Sequence, residues 1–105
     1  AYKKAVLEAG DRDTVLAMNS LTPVRLITNA FAQRALAAER AGHSTDDLKA
    51  LLGKGRGRAA IFCGDLDEGE IEAGQIAGLI NDLPDAQTIL ERLVQGYTKA
   101  KQQLA

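Results

Sequence analysis

The chain has 105 residues, 46% hydrophobic and 26% charged, with a net charge of -1. That length holds one small domain with a modest core, and the charge excludes the basic surface that nucleic acid or an anionic membrane requires. Only 4% of residues are aromatic and tryptophan is absent, which removes the stacking platform of a single-strand or sugar binder.

Residues 1–9 have the pattern of a helix end: Ala5, Val6 and Ala9 share a side, and Gly10 offers a stop. The opening Ala1-Tyr2-Lys3-Lys4 lacks both a Met and the layout of a secretory leader. A start inside a helix is the expectation for a fragment or a processed terminus. Thr14-Val15-Leu16-Ala17-Met18 is the one strand candidate, a short apolar run opened by a β-branched pair. A single strand makes no sheet, so this orphan is expected to pair outside the chain or with a second copy, or not to form a strand at all.

Thr22-Pro23 suits a helix start, with Pro at the first helical position. Val24, Ile27, Ala30, Phe31, Ala35 and Ala38 then carry a helix to about Ala41, which Gly42 ends. Ser44 with Asp47 resembles a capping box before a short helix through Leu48, Leu51 and Leu52. Gly53-Lys54-Gly55-Arg56-Gly57-Arg58 is expected to be a hinge, followed by a short helix around Ala59–Phe62. A turn at Gly64–Gly69 and a helix to about Ile80 come next. Asp85 caps the clearest helix of all, with Ala86, Ile89, Leu90, Leu93, Val94, Tyr97 and Leu104 at three- and four-residue steps.

Several features carry less chemistry than they first suggest. The glycine-basic stretch 53–58 has neither the order of a P-loop nor a strand before it; a loop with solvated charges is expected. The acidic run Asp65, Asp67, Glu68, Glu70, Glu72 fails as an EF-hand, because Gly69 falls fifth from Asp65 and Ile76 falls twelfth. Its carboxylates are expected to face water and favour the positive end of the next helix. His43 has no partner and reads as a surface residue, and Asp46 and Asp47 serve a helix first turn. Cys63 is the only cysteine, so an intrachain disulfide is excluded and a buried thiol in a reducing, cytoplasmic setting is expected. No apolar stretch approaches the length of a membrane span.

Ala73-Gly74-Gln75-Ile76-Ala77-Gly78 stands apart. Its small residues invite close approach by another backbone or a flat ligand, and one amide, Gln75, both donates and accepts. The whole run Gly64–Ile80 resembles the segment G-D-[LV]-x-x-G-x-x-x-x-G-Q-[IV]-x-[AG]-L-I of the FMN-dependent nitronate monooxygenases, once called nitropropane dioxygenases. The flavin-containing enoyl-acyl-carrier-protein reductases share it. Tyr2-Lys3-Lys4-Ala5-Val6 with Asp13-Thr14-Val15-Leu16, Pro23-Val24-Arg25 with Asn29, and Asp82-Leu83-Pro84 resemble further segments of the same enzymes.

The resemblance implies a parent oxidoreductase built on a TIM-like barrel that carries FMN and the catalytic groups. In that reading Ala73, Gly74 and Gln75 lie beside the flavin or substrate, with Gln75 orienting by hydrogen bonds, and no catalytic residue or metal ligand falls in this chain. The fold expectation is mainly α, a small helical domain or fragment with one orphan strand and its barrel absent. The expected divisions are 1–18 (barrel exit), 19–63 (helical second domain) and 64–105 (signature segment and last helix). Expected partners are the missing barrel portion and a nitronate substrate, or an enoyl substrate with NAD(P)H in the alternative. FMN binding by the chain alone is not expected. A self-standing helical interaction module, or self-association, is the reading of another class.

Overall fold

The computed structural model describes all 105 residues. The chain has five α-helices, a 3-10 helix and a two-stranded sheet, in the order α1 (Tyr2–Glu8), β1 (Thr14–Ala17), β2 (Val24–Ile27), α2 (Ala30–Arg40), α3 (Thr45–Leu52), α4 (Arg56–Cys63), the 3-10 helix (Gln75–Leu79) and α5 (Ala86–Leu104).

The strand expected to be an orphan has its partner within the chain. β1 and β2 pair antiparallel, Thr14 opposite Ile27 through Ala17 opposite Val24. Val24-Arg25-Leu26-Ile27 therefore does not open a helix at Thr22-Pro23. Three apolar residues in four satisfy a strand as well as a helix, and pairing with β1 decides between them. Leu26 and Ile27 are buried. The segment around Glu72 then flanks β2 as a third, irregular ribbon: Ile27 N–H donates to Ile71 O at 2.8 Å, and Ala73 N–H donates to Arg25 O at 3.2 Å.

The second helix starts instead at Ala30, where the Asn29 side chain accepts from Ala32 N–H at 2.9 Å. Its amide also donates to Leu66 O at 3.0 Å and to Gly69 O at 2.8 Å. Phe31 N–H, an orphan donor of the first turn, donates to Asp67 O at 3.0 Å. One cap thus starts α2 and fastens the 66–69 turn to it. Ser44 and Asp85 cap α3 and α5 as the sequence indicates, accepting from Asp47 N–H and Thr88 N–H.

Two cores result. The first gathers Ala17, Met18, Leu26, Phe31, Ala32, Ala35 and Leu48 between the sheet, α2 and α3. The second is smaller: Ile27, Ala60 and Ile71, with Tyr2, Ala5, Val6 and Ala9 packed on it. The Tyr2 hydroxyl donates to Glu72 O. Ala35 and Ala38 let α2 lie close on its neighbours. α5 enters neither core: none of its residues is buried, and Leu93, Val94 and Tyr97 are each more than 60% exposed.

Asn29→Ala removes one cap and leaves two carbonyls without their donor. It is expected to destabilise the protein by about 2–3 kcal/mol, read as a lower urea midpoint at unchanged slope. A midpoint equal to wild type would mean that the turn is held by other contacts.

Candidate functional site

The run Gly64–Ile80 leaves α4, turns on α2 and returns across β2. Gly64 ends α4 with φ 69°. The Asp65 carboxylate then accepts from Asp67 N–H at 3.2 Å and Glu68 N–H at 3.0 Å, a local turn made by the side chain itself. Gly69 closes the turn where no side chain fits: a Cβ there would sit 2.4 Å from Asp65 O and 2.7 Å from Ala60 Cβ.

The acidic run does not serve a helix dipole, because no α-helix follows it. Glu70 to Ala73 is extended beside β2, and only a 3-10 turn succeeds it. Glu68 instead takes the Arg34 guanidinium in a two-pronged bond, both contacts 2.5 Å, with Arg56 at 3.3 Å on the same carboxylate. The Arg34 hydrogen bond chiefly, helped by the charge of both arginines, holds the Glu68 carboxyl down at about 2.

The glycine-basic stretch is a solvated loop only in part: Gly53, Lys54, Gly55 and Arg58 are exposed, whereas Arg56 is not. Arg56 opens α4 and is drawn inward, donating to Leu52 O at 2.7 Å, Leu51 O at 3.0 Å and Glu68 O at 2.7 Å. Its guanidinium lies 4.2 Å from the centre of the Phe31 ring. Cys63 is exposed, not buried, because it falls on the outer face of α4 beside the exposed Phe62. His43 is exposed after α2. No three His, Cys, Asp or Glu side chains converge as a metal site.

The side chains of the extended segment alternate. Ile71 and Ala73 pack on the second core, whereas Glu70 and Glu72 line a cleft on the opposite side. Ala73 is thus half-buried and anchored to β2 through its N–H. Gly74 is extended, with ψ 166°, and precedes the 3-10 helix that Gln75 opens. The two glycines of this stretch differ. A Cβ on Gly78 would lie 2.8–3.0 Å from Asp11, so that glycine seats the 3-10 helix on the α1–β1 loop. A Cβ on Gly74 would meet only Ile76 Cγ2, at 3.9 Å. Gln75 is exposed, as are Ile76 at 63% and Leu79 at 73%. The structure therefore brings Gly74 and Gln75 to an open, partly apolar face, and sets Ala73 behind them as support.

Sequence reasoning missed Arg56, Asn29, and the Glu70 and Glu72 pair as elements of this region. For the pair the signal was available, since two like residues two apart share one side of an extended segment. Nothing in the sequence marks Arg56, rather than Lys54 or Arg58, as the cation that is drawn inward.

No family model matches the chain. Its structure is similar to that of FabK from Thermotoga maritima, with a TM-score of 0.84 and 29% identity over 98% of this chain and 32% of that one. A methionine-to-alanine mutant of the same FabK gives a TM-score of 0.73 and 26% identity, covering 98% of this chain and 29% of that one. The chain spans about a third of the length of these proteins. Its mainly helical fold with a two-stranded sheet is thus the fold of one part of a FabK chain.

The depressed Glu68 carboxyl fixes a pH dependence. A carboxylate held at about 2 in the fold stabilises it above the ordinary value of 4.5, and the contribution drains away as pH falls from 4.5 toward 2. Glu70, raised by burial and by Glu72, has the opposite sign. Urea midpoints taken between about pH 5 and pH 3 are expected to fall for wild type, and to fall less steeply for Glu68→Gln. Parallel acid slopes would show that the Arg34 pair carries no linkage.

Proposed function

We propose that the chain is part of an FMN-dependent oxidoreductase, and that its Gly74–Gln75 face lies against the flavin or substrate carried by the rest of the parent protein. The observation that carries this reading is the unfilled space at Gly74, beside an exposed amide, in a segment whose neighbouring glycine is tightly filled. The motif resemblance and the likeness to one part of FabK support the same reading.

What the residues fit is an edge contact. Gly74 allows a flat ring system to approach the backbone, Gln75 can donate and accept at its polar rim, and Ile76 offers apolar cover. Flavin, when bound, supplies the electron transfer; this chain's residues orient it and exclude water. They move no proton, because an amide does not titrate. The phosphate-binding groups and the general base of such an enzyme belong to the barrel portion in this reading.

Oxidation of an alkyl nitronate, as in the nitronate monooxygenases, is one outcome for the parent. Flavin-mediated reduction of an enoyl thioester by NAD(P)H is the other, and the likeness to FabK supports it as strongly. The bare apolar stripe of α5, Leu90, Leu93, Val94 and Tyr97, supports the barrel portion as the partner that covers this chain.

The test is the full-length gene product, purified with and without Gln75→Ala. The wild type is expected to be yellow with bound FMN and to turn over one of the two substrate classes. Loss of one oriented hydrogen bond is expected to lower turnover or flavin affinity about ten-fold in the variant. A colourless, flavin-free wild type would overturn the flavin reading, and unchanged kinetics would reduce Gln75 to a surface residue.

A further inference from the structure

The 3-10 helix that carries Gln75 is held to the rest of the fold without hydrogen bonds. Before it, Ala73 N–H donates to Arg25 O; after it, the Asp82 carboxylate accepts from Arg92. Between those two residues every hydrogen bond stays inside the segment, Ala77 N–H to Gly74 O and Ile80 N–H to Ala77 O among them. Packing alone therefore sets where the helix sits. Gln75, Ile76 and Leu79 are exposed and hold nothing. Ala77 is 1% exposed, and Gly78 rests on the α1–β1 loop.

Gly78 serves clearance and not conformation, since its φ is not positive. A Cβ added there would lie 2.8 Å from Asp11 Oδ1 and 3.0 Å from both Asp11 Cα and Asp11 N. The carboxylate can swing aside, but the backbone cannot, because its loop is braced. The Asp13 carboxylate accepts from Gly10 N–H at 2.6 Å. Asp13 N–H donates to Gly10 O at 3.2 Å, and Thr28 N–H, just past β2, donates to Asp13 O at 2.8 Å. Ordinary contact for a Cβ begins near 3.4 Å, so a side chain at position 78 must push helix and loop apart by about 0.4 Å. Residues three apart eclipse in a 3-10 helix. Gln75 thus stands on the same edge as Gly78, one turn away, and takes up that displacement.

We propose that Gly78 is a positioning residue for Gln75: its bare Cα against the Asp11 backbone sets how far the amide reaches toward flavin or substrate. The inference rests on the flavin reading of the Gly74–Gln75 face and adds the device that aims it. A misplacement of about 1 Å can cost on the order of a hundred-fold in rate, so control at the sub-ångström level matters. Asp13 belongs to the same device, as the brace of the loop.

The experiment is a double-mutant cycle in the full-length gene product, with Gln75→Ala, Gly78→Ala and the pair, reading turnover, KM and bound FMN. Gly78→Ala is expected to lower the parameter that Gln75→Ala lowers, turnover or flavin affinity, by about three- to ten-fold. In the Gln75→Ala background it is expected to have no further effect, because no amide is left to aim. A loss of equal size in both backgrounds would make Gly78 a packing residue and overturn the proposal. Wild-type kinetics of Gly78→Ala beside an impaired Gln75→Ala would overturn it too. A flavin-free wild type or a silent Gln75→Ala is instead the failure of the flavin reading, and this inference falls with it. Should Gly78→Ala fail to fold, Asp13 carries the test. Asp13→Ala is expected to lower the same parameter, and Asp13→Asn, whose Oδ1 still accepts from Gly10 N–H, to restore it. Equal loss in both Asp13 variants, or none in either, overturns the proposal.

Discussion

The Arg56 guanidinium is the constraint around which the middle of the molecule closes. An arginine brings five donors in a rigid fork and no acceptor, so drawing it inward requires several oxygens at once. α3 supplies two of them, the Leu51 and Leu52 carbonyls left over at its C-terminus. The 64–69 turn supplies the Glu68 carbonyl and carboxylate, and Phe31 of α2 supplies an aromatic face. Three helices and a turn are thereby referred to one cation. Because the guanidinium stays charged across the accessible pH range, the arrangement depends on its partners, and acid attacks it through Glu68.

Asn29 makes the complementary fastening on the other side of the same turn. Between them, these two side chains fix where the chain leaves Gly69, and hence where Glu70 to Gln75 runs. The extended segment then faces two ways. One set of side chains packs on β2 and the second core, and the alternate set, Glu70 and Glu72, borders the cleft on the opposite side. Gly74 continues the line of the latter set onto open surface, while Gly78 is used up by contact with Asp11. The open face and the cleft are thus products of one strand-like alternation, positioned by a turn that tolerates little change.

Much of the helical content was legible because it is locally encoded. Ser44 and Asp85 cap where their side chains indicate, and the stripe of α5 has the right period. What failed to show was non-local. Val24 to Ile27 suits either period, and only its register with β1 decides. Around Gly74 and Gly78 the apolar spacing suggested a helix, but pairing of Ile71 and Ala73 with β2 competes for the same backbone groups, and only a 3-10 turn remains. Arg56 and Cys63 were misjudged for one reason: sequence gives a residue's chemistry, whereas the face of α4 on which it falls is set by packing. The G-D…G-Q run was legible as a unit, and the separation of Ala73 from Gly74 and Gln75 was visible only in three dimensions.

The long axis of the molecule, 52 Å against a short axis of 21 Å, owes much to α5. A compact chain of this length would have a radius of gyration near 13 Å, against 17.0 Å here. Since α5 contributes nothing to either core, its helix rests on its own backbone bonds, the Asp85 cap and a tether from Arg92 to Asp82. Isolated helices of about this length are marginal in water. Left uncovered, the chain therefore has two opening free energies rather than one: a small one for unravelling α5, and a larger one for the cores. Amide exchange along α5 would be fast and graded while the sheet stays protected, so loss of helical signal on warming would precede, and not report, loss of the fold.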